Sequence, residues 1–96
     1  MYIEIIVCYD ISSNKSRRKL VKELKDMGLS NIQESVFWGR VLNAEISSIK
    51  RIFTEILDKE FDRAFLVKTN FSKQAIEYSF GYKDVKNFQE RDYEIV

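Results

Sequence analysis

The chain has 96 residues, 45% hydrophobic and 14% aromatic, with no proline and three glycines; this content suits one buried core and argues against disorder. Sixteen basic against fifteen acidic residues leave a net charge of +1, so bulk charge carries no nucleic-acid signal and only local clustering could supply one. The absence of histidine and a lone cysteine, Cys8, exclude His-based acid–base catalysis, His-ligated zinc, a four-thiolate metal site and a disulfide framework, leaving oxygen-bound hard cations as the metals the chain can hold.

Residues 2–10, YIEIIVCYD, are rich in β-branched and aromatic types and predict a strand. Ser12, Ser13 and Asn14 offer helix caps, and a helix follows to Met27, ended by Gly28. Its apolar positions, Leu20, Val21, Leu24 and Met27, have the spacing of one helical face. Residues 30–42, SNIQESVFWGRVL, are extended in character but long for one strand, which predicts a tight turn at Glu34-Ser35. A second helix is expected from Glu45 to Asp58, with Asn43 as its cap and Ile46, Ile49, Ile52, Phe53 and Ile56 as its buried stripe. Two further extended segments are predicted, residues 62–69 and residues 75–82, the latter alternating Ile76, Tyr78, Phe80 and Tyr82. No stretch approaches the roughly 20 apolar residues of a membrane span. The first apolar run is short and broken by Glu4, unlike a signal peptide. A cytoplasmic protein with one domain over residues 1–96 and no membrane association is therefore expected.

The order strand, helix, strand pair, helix, strand is that of an α+β, ferredoxin-like sandwich, in which two helices cover one face of an antiparallel sheet. Alternation along the first strand assigns Ile3, Ile5, Val7 and Tyr9 to the helix side. Tyr2, Glu4, Ile6, Cys8 and Asp10 then fall on the uncovered face. A second copy of the chain is the expected cover, and across a two-fold axis two Asp10 carboxylates could approach each other. Like charges brought together call for a cation between them, and Mg2+ is commonly held by one or two carboxylates with several waters.

Arg18, Lys22 and Lys25 fall on the outer face of the first helix. Arg17 falls on the side of Leu20 and Leu24 at the first turn, directed towards the strand end that carries Asp10. Lys15 and Arg17 at a helix N-terminus suit a phosphate group. Each feature also has a plain alternative. Asp10 fits an ordinary turn acid, Arg17 fits a structural partner of Asp10, and Lys22 and Lys25 fit a solvated surface. Phe37 and Trp38 fit core or interface better than base-stacking platforms. Cys8 fits an inert buried thiol.

Residues 9–39, YDISSNKSRRKLVKELKDMGLSNIQESVFWG, resemble the signature of the CRISPR-associated protein 2 family. The shared features are Tyr9-Asp10 at a strand end, a short polar loop, the Arg17-Arg18 helix start, Gly28 after the helix and the Gln33-Glu34-Ser35-Val36-Phe37 segment. The resemblance implies a ferredoxin-like homodimer, packed sheet to sheet, whose C-terminal strand crosses to the partner, from residues 75–82 or from the terminal DYEIV. It implies a Mg2+- or Mn2+-dependent endonuclease acting on RNA or double-stranded DNA in CRISPR defence and spacer acquisition, with the metal shared between two protomers. The alternative it implies is a non-catalytic dimeric scaffold that bridges the adaptation integrase; on that alternative Lys15, Arg17 and Arg18, with Arg40, Lys50 and Arg51 as further candidates, would bind the backbone of duplex DNA. Residue by residue, Asp10 matches the catalytic, metal-binding aspartate. Tyr9, Arg17 and Arg18 match the motif's flanking polar positions and, with Lys15 at the helix start, are the expected nucleic-acid contacts; Ser35 and Phe37 match the second motif as supporting residues. The family often has Glu after that phenylalanine; Trp38 stands here instead, leaving Asp10 as the main carboxylate.

Overall fold

A computed structural model describes residues 1–72 together with Tyr78, Phe80 and Gly81. Its elements are β1 (Tyr2–Asp10), α1 (Asn14–Asp26), β2 (Ser30–Gln33), β3 (Val36–Leu42), α2 (Asn43–Ile56) and β4 (Arg63–Lys68). The strands form an antiparallel sheet in the order β2-β3-β1-β4, the arrangement expected of a ferredoxin-like sandwich.

Local chemistry sets the boundaries. Ser13 caps α1, its Oγ accepting the Ser16 N–H at 3.3 Å. At the other end the Leu29 N–H bonds the Leu24 carbonyl at 3.1 Å and the Gly28 N–H bonds that of Lys25 at 2.9 Å. This double closure needs a left-handed residue after the helix, and Gly28 supplies it at φ 89°. The turn between β2 and β3 falls at Glu34-Ser35, with Ser35 at φ 65°. The second helix departs from expectation at its start. It begins at Asn43, with Leu42 in the cap position. Leu42 has no side-chain acceptor, so capping is supplied from inside, by Glu45 Oε1 accepting the Leu42 N–H at 2.8 Å. The same helix ends at Ile56 rather than Asp58.

Ile5, Val7 and Tyr9 of β1 face the helices and join Phe37, Val41, Leu20, Leu24, Leu29 and Ile49 in the core. Gly39 opposes Ile5 on this face, where an added Cβ would lie 2.6 Å from Leu29 Cδ2 and 3.2 Å from its Cα; the absent side chain lets the chain leaving α1 lie close against β3. The predicted extended segment at residues 75–82 falls mostly outside the described residues. At Tyr78 the backbone is helical, and Phe80 is 97% exposed in no regular element, so the extended reading does not hold at those two positions. Both candidate crossing segments otherwise lie outside the described residues.

Candidate active site

The open face of the sheet carries the charged residues that the sequence singled out. β1 pairs with β3 through Glu4–Arg40, Ile6–Trp38 and Cys8–Val36, and with β4 through Ile6–Val67, Cys8–Phe65 and Asp10–Arg63. Directly paired residues share a face, so all of these side chains stand opposite the helices. Asp10 is exposed at the end of a central strand. Among the described residues its carboxylate takes part in no hydrogen bond or ion pair. A shallow groove of about 290 Å³ runs beside it, lined by Cys8, Tyr9, Asp10, Arg63, Ala64 and Phe65.

Arg17 does not pair with Asp10. Its Nη2 donates to the Ile11 carbonyl at 3.1 Å and its Nη1 to Asn14 Oδ1 at 2.7 Å. The guanidinium therefore braces the loop that follows Asp10. Lys15 and Arg18 are exposed. Arg18 lines a surface groove of about 450 Å³ along α1 with Arg17, Val21, Lys22, Lys25 and Asp26. Lys22 is already paired with Asp26 at 2.8 Å, as the solvated-surface alternative required.

Tyr9, expected as a nucleic-acid contact, is largely buried. The residue is 9% exposed, and its ring packs in the core, 6.2 Å from the Phe37 ring. Burial pushes its phenol pKa up, the Arg17 guanidinium opposes that rise, and Glu34 adds to it. Phe37 is fully buried and supports the strand from beneath. Ser35 supports it through the backbone, its carbonyl accepting the Tyr9 N–H at 3.1 Å just past the β1–β3 ladder. Burial also raises the Cys8 thiol pKa, in keeping with an unreactive thiol.

The roles of three residues, two beside Asp10 and one at the other end of its strand, escaped the sequence reading. Asp62 ties the loop after Asp10 to the loop before β4. Its Oδ1 accepts the Ser12 N–H at 3.0 Å and the Ser12 hydroxyl at 3.2 Å, while its Oδ2 accepts the Asp58 N–H at 2.9 Å. Arg63 stands in register with Asp10; the alternation of DRAFLVKT was its available signal. Glu4, at the far end of β1, accepts from Trp38 Nε1 at 2.8 Å, from the Ser72 N–H at 2.7 Å and from the Ser72 hydroxyl at 2.7 Å. Arg40 is drawn into the same cluster, 3.7 Å from Glu4 and within hydrogen-bond range of Ser72 Oγ. That removes it from the set of readily available DNA contacts.

Residues 1–75 match the family model of CRISPR associated protein Cas2. The chain belongs to this family. It is 43% identical over 89 residues to a protein of Francisella tularensis subsp. novicida named CRISPR-associated endoribonuclease Cas2 1, covering 93% of this chain and 90% of that one. A Methanospirillum hungatei protein of the same name is 35% identical over 82 residues, covering 72% and 86%. Among solved structures, Cas2 of Streptococcus pyogenes superposes with a TM-score of 0.70 at 27% identity, over 82% of this chain and all of that one. A hypothetical protein of Thermus thermophilus gives a TM-score of 0.66 at 26% identity, over 72% and 83%.

Membership in the Cas2 family sharpens what the donor set means. Among the described residues no three His, Cys, Asp or Glu side chains gather to hold a metal ion. One Cas2 chain thus offers a cation at this strand end the two oxygens of Asp10. They are hard donors, exposed and otherwise unengaged, which suits Mg2+ or Mn2+ as one ligand among waters. No helix among the described residues is long and apolar enough to cross a membrane.

Proposed function

We propose that the protein is a CRISPR-associated endonuclease that hydrolyses phosphodiester bonds of RNA or duplex DNA during spacer acquisition in the cytoplasm. It works as a pair of copies that meet across the open face of the sheet, each contributing Asp10. One observation carries the reading: an exposed carboxylate with no described partner ends a central strand on the face opposite the helices, in a family whose relatives are named endoribonucleases. Tyr2, Leu42, Phe65 and Val67, all more than 40% exposed, supply apolar surface for a second copy on that face.

Asp10 of each copy would hold a shared Mg2+ or Mn2+, which when bound polarises the phosphate and activates a water. The protein's own residues do the positioning. The Ser35 carbonyl and β4 grip the end of β1 on both sides. Arg17 and Asp62 fix the loop beyond it. Lys15 and Arg18, exposed at the start of α1, present positive charge to the nucleic-acid backbone.

Replacing Asp10 with Asn tests the reading directly. Cleavage of single-stranded RNA and duplex DNA is measured with Mg2+ or Mn2+ and with chelator. A fall of about 100-fold or more, with the fold and the dimer intact, is expected; undiminished cleavage by the variant overturns the reading. A second reading is favoured by the exposed Arg18 and Lys25, which have no described ion pair. In it the dimer is a scaffold that binds duplex DNA through α1 and bridges the adaptation integrase. Duplex binding that weakens steeply with salt and survives Asp10→Asn, without cleavage by the wild type, selects this scaffold over the nuclease.

A further inference from the structure

We infer that Arg63 holds the substrate's phosphodiester at Asp10, as the positioning cation of the site. The inference rests on the nuclease reading above, and it concerns a residue one strand away from the acid. β4 runs antiparallel to β1, with Arg63 and Asp10 as direct partners. Their Cβ atoms therefore lie about 4.5–5.5 Å apart on the same face, and both side chains are exposed.

The two charges do not consume each other. Among the described residues the Arg63 guanidinium makes no hydrogen bond and no ion pair, with Asp10 or any other group. The other arginines near the sheet are occupied. Arg17 is spent on Ile11 and Asn14, and Arg40 on Ser72 and Glu4. An exposed cross-strand pair of this kind contributes little to stability, so folding gives no strong reason for a guanidinium at this position.

Phosphate chemistry gives one. A lone carboxylate repels the phosphodiester it must approach, and a neighbouring cation offsets that repulsion. Guanidinium is planar and always charged, and it meets two phosphate oxygens with two parallel N–H bonds. Cys8, Ala64 and Phe65 line the groove that both residues border and leave Arg63 as its cation. Its backbone is held by the β1–β4 ladder, so the donor sits on a rigid element rather than a loop.

The test separates this role from that of a mere counter-ion. In an Asp10→Asn background with chelator present, binding of a short single-stranded RNA is measured with and without Arg63→Gln. The inference expects binding weaker by about tenfold and a salt slope shallower by about 0.7 for each phosphate charge no longer neutralised. Equal affinity and equal slope overturn it. With Asp10 in place, Arg63→Gln should raise KM more than it lowers kcat, and Arg63→Lys should restore part of the deficit. A change in kcat alone also overturns it. Should Arg63→Gln fail to fold, Arg63→Lys, which keeps the charge and so the salt slope but removes the fork, decides by KM, and an unchanged KM overturns the inference. A wild type that cleaves neither RNA nor DNA defeats the nuclease reading, while the binding comparison still decides whether Arg63 holds phosphate.

Discussion

Glu4 stands six residues from Asp10 on the same face of the same strand, in an opposite environment. Its side chain is 10% exposed and takes three hydrogen bonds, from the Trp38 indole and from the amide and hydroxyl of Ser72. Arg40 balances its charge at 3.7 Å and lies 6.0 Å from the Trp38 ring centroid. Trp38, 1% exposed, thus lies buried on the face opposite the helices with its indole N–H held by Glu4, whereas Phe37 beside it is buried in the core. Trp38→Phe removes a donor from a nearly buried carboxylate and should lower stability by about 2 kcal/mol, read as a shift of the denaturant midpoint at unchanged slope. The sequence allowed both aromatics as core or interface residues. Alternation separates their faces, but nothing local indicated that an acid 34 residues away would accept the indole N–H.

Asp62 joins two connections, the loop after β1 and the loop before β4. Hydrogen bonds from the Asp58 and Ser12 amides hold its carboxyl pKa below the ordinary value of 3.8. A group whose pKa is depressed by folding stabilises the fold above its unfolded pKa and loses that contribution as pH falls through the folded one. The Ser12 and Asp58 amide resonances should therefore titrate together in acid, below the usual carboxylate range, and Asp62→Asn should abolish that titration. Resonances that shift at the same pH in the variant would disprove the tie. At this scale the sequence was mostly readable: β1, α1, the turn at Ser35 and β4 all lie where periodicity and capping chemistry put them. The start of α2 was not, because an aliphatic Leu42 in the cap position carries no cap signal and Glu45 does that work from the third helical position. The Ser12–Asp62 contact spans 50 residues, and local pattern has no access to it.

At the scale of the whole sheet, α1 and α2 lie on one face, and on the other Phe65 and Val67 stand exposed at 55% and 45%. A carboxylate at Val67 would be desolvated without a partner in a sheet-to-sheet pair. On the proposed pairing, Val67→Asp should therefore give a monomer by light scattering where the wild type gives a dimer, with cleavage abolished alongside. A dimeric, active Val67→Asp protein would place the contact elsewhere. The clamp at Glu4 also bears on how the chain finds its register. A strand that slips by one residue turns its inner side outward, and here that would drive Glu4 and Asp10 into the apolar core. Slips by two escape this penalty, because they preserve which side faces in. They would instead place Tyr2 or Ile6 opposite Arg40 in place of Glu4, leaving the guanidinium without its directly paired acid. Odd errors are rejected by the core and even errors by the clamp. The strand that presents Asp10 is in this way proofread twice during folding.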